Sequence, residues 1–241
     1  MSGHSKWNNI KHKKEKSDAA KAKIFTKIGK EMAVAIKAGG PDPSNNAKLR
    51  DLIAKAKANN VPNDNIQRTI KKFTDNSDIN YEEVVYEGYG PSGVAIIVET
   101  STDNRNRTAG NVRAWFNKYG GNLGQTGCVS YLFEEKGVIT IVDEDEEIDE
   151  DKIMEDSLEC GAEDIKCEDG EYTIYTSTED LDTVRDAIIA LGYKIDTADV
   201  AKVPSTYVEL TSEEDVDNME KMLDKFNEDD DVNAVYHNWD N

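Results

Sequence analysis

Residues 171–192 read EYTIYTSTEDLDTVRDAIIALG. The first half alternates β-branched and aromatic residues over Tyr172–Thr176, which predicts a strand. The second half switches period: Leu181, Val184, Ile188 and Leu191 recur at helical spacing over about Thr178–Leu191, and Gly192 sits where a helix ends in a left-handed residue. Outward from this pair the pattern repeats. Upstream come a strand at Val138–Val142, a helix at about Asp149–Cys160 and a strand at Asp164–Cys167; downstream comes a strand at Lys194–Val200. The order is βαββαβ, so residues 137–203 are expected to form a ferredoxin-like unit.

On both sides of this unit the segments are incomplete. Residues 81–135 read β-β-α-β: strands at Glu83–Glu87 and Val94–Thr100 joined by the turn Gly88–Gly93, a helix bearing Val112, Trp115, Phe116 and Tyr119, and a strand at Val129–Glu134. Residues 204–241 read β-α-β: Tyr207–Leu210, a helix opening at Thr211 or Ser212 with Thr211 and Glu214 at capping-box spacing, and Val232–His237. One helix on two strands buries too little apolar surface to stand alone. The economical solution is one discontinuous α+β domain, residues 78–136 with 204–241, interrupted by the 137–203 unit.

The first 77 residues differ in kind. Phe25, Ile28, Met32 and Ala35 form a helical stripe that ends at Gly39-Gly40-Pro41, with Ser17 or Asp18 as the cap. Leu49, Leu52, Ile53 and Ala56 mark a second helix, capped by Asn45 or Asn46, and Ile66, Ile70 and Phe73 a third. Three short amphipathic helices predict a bundle over about 17–74, preceded by a basic arm. The fold class expected for the whole chain is therefore multi-domain α+β.

Charge divides along the same line. Residues 1–77 carry 17 Lys and Arg against 7 Asp and Glu, a balance of +10; residues 78–241 carry 12 against 42, or −30. Clustered cations bind phosphate backbones, so a nucleic-acid contact belongs at the N-terminal end. Lys6, Lys11, Lys13, Lys14 and Lys16 crowd the arm, with His12 among them; Trp7 is available to stack on a base or to pack on a partner. Lys16, Lys23, Lys27 and Lys30 line up on the first helix, opposite its apolar stripe, and are expected on an open face. The competing reading is a solvated lysine face. Arg105 and Arg107, beside Asn104 and Asn106 at the start of a helix, suggest a secondary anion site, or ion pairs with local carboxylates. The 137–203 unit holds 5 basic and 22 acidic residues, and suits a basic protein surface better than nucleic acid.

Other classes fit poorly. The three histidines are His4, His12 and His237, and GxSxG, P-loop, HExxH and paired-cysteine motifs are missing, so the expectation is a non-enzyme without cofactor, metal or small-molecule substrate. The acidic run at 143–147 lacks EF-hand spacing. Cys128, Cys160 and Cys167 are odd in number and read as reduced thiols. With no apolar run of membrane length and no signal-peptide core, a cytoplasmic location is expected.

Several separated motifs, in order along essentially the whole chain, resemble the YebC/PmpR family: Gly3-His4-Ser5-Lys6-Trp7, Tyr86-Glu87-Gly88-Tyr89-Gly90-Pro91, Thr102–Thr108 with Gly120-Gly121-Asn122-Leu123-Gly124, Val129–Phe133, and Val235-Tyr236-His237-Asn238. The resemblance implies a helical N-terminal domain and two α+β domains, one inserted in the other. It implies either a DNA-binding transcriptional regulator or, as for the mitochondrial translational activator of cytochrome oxidase, a factor acting in translation on ribosomal RNA, including at proline-rich stretches. Both roles require phosphate contact, and no helix-turn-helix signature favours duplex reading. A third reading, from charge alone, is a protein-interaction scaffold working through the acidic unit.

Overall fold

The computed structural model describes residues 18–75, 80–143, 148–168 and 170–240. Three helices open it: α1 (Asp18–Gly39), α2 (Ala47–Ala58) and α3 (Asn63–Thr74). Asn46 organises the first corner. Its Oδ1 accepts from Leu49 N to cap α2, while its Nδ2 donates to Ala35 O and Gly40 O at the end of α1 (both 2.8 Å). Gly40 takes φ +85°, the left-handed turn that ends α1. Ile28, Met32, Ala35, Ile36, Leu49, Leu52, Ala56 and Ile66 form one buried core. Phe25 stands outside that core, half-buried, and Ile24 packs there instead.

Next come β1 (Glu82–Tyr89), β2 (Ala95–Thr102), α4 (Arg105–Lys118) and the short β3 (Asn122–Leu123). β1 and β2 form an antiparallel hairpin in register from Glu82↔Thr102 to Tyr89↔Ala95, joined by a 3₁₀ turn at Pro91–Gly93. The chain then leaves this sheet and returns at its end with β8 (Val208–Glu209), α7 (Glu213–Glu228), β9 (Val232–His237) and β10 (Trp239–Asp240). β9 lies antiparallel against β2, completing the order β3-β1-β2-β9. The core between sheet and helices joins Val84, Ile96 and Val98 to Val112, Phe116, Met219, Leu223 and Phe226. α4 and α7 meet through Trp115 and Phe226, whose rings contact edge-to-face at 5.7 Å. Asn238 secures the return: it accepts from Ala95 N (2.7 Å) and donates to Thr206 O (3.0 Å).

Between these halves lie β4 (Phe133–Val142), α5 (Glu150–Glu159), β5 (Asp164–Glu168), β6 (Glu171–Thr176), α6 (Leu181–Ala190) and β7 (Thr197–Pro204). The order is β5-β6-β4-β7 with every pair antiparallel. Ile139, Ile141, Ile153, Ile174, Val184 and Ile188 form its core.

Three local expectations are corrected. Val129–Glu134 and Val138–Val142 are not separate strands: Val129 is a buried loop residue, Ser130–Leu132 is a 3₁₀ turn, and β4 runs unbroken from Phe133 to Val142. The charged Glu134-Glu135-Lys136 does not interrupt it, because cross-strand and neighbouring partners absorb the charge: Lys202 Nζ bonds Glu135 (2.6 Å) and Lys136 Nζ bonds Glu163 (3.1 Å). The last strand of this sheet begins at Thr197, not Lys194, and extends to Pro204. The Thr211–Glu214 capping box does not form; Ser212 is the N-cap residue of α7 and makes no side-chain cap bond.

Candidate nucleic-acid interface

The lysine row of α1 is real but is not an open face. α7 ends at Glu228, leaving its last carbonyls without helical partners and its C-terminus with partial negative charge. Lys23, Lys27 and Lys30 are spaced four and three apart and fill that end. Lys23 Nζ donates to Glu228 O, Lys27 Nζ to Asn227 O (3.1 Å), and Lys30 Nζ to Asp230 O (2.8 Å). Lys30 also pairs with Asp231 Oδ1 at 2.7 Å, with only 12% of its side chain exposed.

Asp231 is the hub. Its side chain is 6% exposed, and Oδ2 accepts from Arg107 Nη2 (2.6 Å) and Thr108 Oγ1 (2.8 Å). Thr108 Oγ1 lies 2.7 Å from Thr102 Oγ1, and Asp231 O accepts from Ser101 N (2.8 Å). The ligands come from β2, α4 and α1, so one carboxylate joins three elements. Burial alone would raise its pKa, but Arg107, Lys30 and Thr108 stabilise the anion and bring it down to about 2. Asn104 caps α4, accepting from Arg107 N (3.1 Å), and Arg107 also bonds Asp103 (2.8 Å). At the N-terminal end of α4, Arg107 therefore makes the ion pairs of the second reading, while about half of its side chain stays exposed. Arg105 is exposed beside it, with no side-chain hydrogen bond or ion pair among the described residues.

This architecture matches known proteins end to end. Residues 5–76 match the family model described as the TACO1/YebC protein N-terminal domain, and residues 81–239 the one described as the TACO1/YebC second and third domain. The chain belongs to the TACO1/YebC family. It is 56% identical to a "Probable transcriptional regulatory protein" of Agathobacter rectalis over 241 residues, all of both chains. A protein of the same name from Acetivibrio thermocellus is 55% identical over 99% of both chains. Among solved structures, a conserved hypothetical protein from Aquifex aeolicus superimposes with a TM-score of 0.81 at 42% identity, covering 92% of this chain and 91% of that one.

Within this TACO1/YebC chain the expected phosphate contacts separate into three groups. Lys6, Trp7, Lys11, His12, Lys13, Lys14 and Lys16 lie outside the described residues. Lys23, Lys27, Lys30 and Arg107 are brought together around the acidic loop 228–231, Lys30 nearly buried and Arg107 still half exposed. Opposite the apolar stripe, α1 meets α7's terminus; periodicity shows which residues share a face but not what covers it. Arg105 stands alone. A group not singled out from the sequence is exposed instead: Arg68, Lys71 and Lys72 of α3, with Lys57 of α2. Arg68, Lys71 and Lys72 sit at i, i+3, i+4, a spacing visible in the sequence QRTIKKF, and Asp64 is the one acid within α3.

Glu87, a residue of one family-like motif, is a structural anchor. It is 4% exposed and accepts from Gly127 N (2.7 Å), Val129 N (2.9 Å) and Ser130 N (2.9 Å). Desolvation pushes its pKa up, but the three amides outweigh it and the net shift is downward. The three thiols are unpaired, and burial raises each pKa, opposite to a reactive cysteine.

Proposed function

We propose that this protein is a nucleic-acid-binding regulator, acting on DNA in transcription and working by binding alone, without catalysis. Its three units divide the labour: a basic helical N-terminal unit holds phosphate, a discontinuous α+β unit carries it, and the inserted acidic unit faces away from the polyanion. The observation that carries this reading is the separation of charge, +10 in residues 1–77 against −30 in the rest. Relatives named as probable transcriptional regulatory proteins support the choice of process, and the exposed cations of α3 support the choice of end.

The phosphate contact in this proposal consists of the arm lysines Lys6, Lys11, Lys13, Lys14 and Lys16 together with Arg68, Lys71 and Lys72, with Arg105 at the periphery. Lys23, Lys27, Lys30 and Arg107 hold the platform. Such contacts give affinity without base choice. If about six phosphates are neutralised, log affinity for duplex DNA falls against log salt with a slope near about −5. The test is a salt titration of duplex DNA and of ribosomal RNA fragments by fluorescence anisotropy. Lys13→Glu with Lys14→Glu, and separately Lys71→Glu with Lys72→Glu, should lower affinity and flatten the slope. A salt-independent affinity, or unchanged binding by both double variants, rejects the proposal. Preference for the RNA fragments would move the function to translation.

A further inference from the structure

We infer that α4 reads base edges in the major groove of duplex DNA through its outer side, an inference that rests on the DNA binding proposed above. Residues 104–133 hold Arg105, Arg107, Arg113 and Lys118 and no Asp or Glu, whereas the rest of residues 78–241 holds 8 Lys and Arg against 42 Asp and Glu. The whole of α4 lies inside that acid-free stretch. At about 100° per residue, Asn106, Gly110, Arg113 and Asn117 fall within about 60° of arc, and all four are exposed. They stand about 130° around the helix from the buried row Thr108, Val112 and Phe116. They are about as far from the row that meets α7 and its loop, in which Arg107 bonds Asp231, Asn111 bonds Asp229 and Trp115 contacts Phe226. The stripe is therefore the side of α4 that the fold leaves uncovered.

The fold itself does not account for what the stripe contains. Among the described residues, the side chains of Asn106, Arg113 and Asn117 make no hydrogen bond or ion pair. Glycine inside a helix weakens it relative to alanine, and a Cβ at Gly110 would meet nothing within 4 Å, so internal packing does not require this one. Close approach of a ligand does. Asparagine presents the donor and acceptor that match the major-groove edge of adenine, and arginine the paired donors that match guanine. An acidic protein surface would be matched by cations alone; two amides and a glycine around one guanidinium match base edges. At 14 residues, about 21 Å, α4 is long enough to cross a groove about 12 Å wide. The phosphate-holding unit adjoins it, because Lys30 of α1 and Arg107 of α4 share Asp231. Glu82 and Asp103 are the acids beside the first turn of α4, and Asp103 is already paired with Arg107.

The full chain is used to select duplexes from a random DNA pool, and its affinities for the selected duplex and a shuffled one are measured across salt by fluorescence anisotropy. Wild type prefers the selected duplex. Arg113→Ala and, separately, Asn117→Ala each reduce that preference about tenfold, leaving affinity for the shuffled duplex and the salt slope unchanged. Gly110→Ala raises the thermal midpoint, because the helix gains and nothing clashes, yet it also lowers the preference. A merely structural role for Gly110 would not move stability and binding in opposite directions. The inference is overturned by selection that yields no preferred sequence, or by a preference that all three variants retain. Equal loss on both duplexes in Arg113→Ala also overturns it, since that marks a phosphate contact. Each of these leaves the proposed DNA binding standing, whereas failure to bind any duplex overturns both.

Discussion

Lys30 and Asp231, 201 residues apart in sequence, meet at 2.7 Å with both side chains nearly buried. The pair joins the first described helix to the loop before the last long strand. Around it Arg107 and Thr108, with Thr102 more distant at 3.3 Å, gather on the other carboxylate oxygen, Oδ2. A buried ion pair is weak evidence of net stability, yet removing one partner is costly because the other charge is stranded. Asp231→Asn should therefore destabilise the protein by about 3 kcal/mol, measured as a fall in the urea midpoint. Lys30→Gln should also lower the midpoint while leaving the salt slope of nucleic-acid binding unchanged, since Lys30 faces Asp231 and not solvent.

The same carboxylate sets an acid limit. Its folded pKa, about 2, lies below the ordinary carboxylate value, so the unfolded chain binds the proton more tightly. The stabilisation is fully present above about pH 4 and fades as pH falls from there to about 2. Thermal midpoints measured between those limits should drop more steeply for wild type than for Asp231→Asn. Parallel curves would show that Asp231 is not the responsible group.

Glu87 tests the anchor under the 124–130 loop. In Glu87→Gln one carboxylate oxygen becomes an NH₂ donor, turned on backbone N–H groups that now lack an acceptor. A cost of about 2 kcal/mol is expected, together with faster hydrogen exchange at Gly127, Val129 and Ser130. Unchanged protection at those three amides would contradict the assignment.

Gly137 sits mid-strand in β4, where a Cβ would collide with Thr176 Oγ1 and stand 2.9 Å from Leu181 Cβ and 3.0 Å from Ser177 O. Gly137→Ala should cost about 1–3 kcal/mol and loosen the packing of α6 on the sheet. The readout is the denaturation midpoint together with the protein's near-ultraviolet circular dichroism, to which Tyr172 and Tyr175 of the neighbouring β6 contribute.

Helix positions were legible from period and caps because both are local. Asn46, Asn104 and Asp149 cap the helices whose starts their side-chain chemistry announces. β4 was misread at Glu134-Glu135-Lys136 because charge there looks like a strand break until Lys202 and Glu163 are seen across the sheet. Lys202 reaches Glu99 of β2 as well (3.1 Å), tying the two sheets together through a side chain that looks like a solvent residue in sequence.

Composition and periodicity alone determined the helical, sheet-forming and acidic stretches and the gathering of cations before residue 78, since these depend on neighbours within a few residues. The destination of each cation was a matter of tertiary structure alone. A lysine stripe reads the same whether it faces water or the carbonyls of a helix terminus two hundred residues away. Lys23, Lys27 and Lys30 take the second course because α7 ends beside them with its negative pole unfilled.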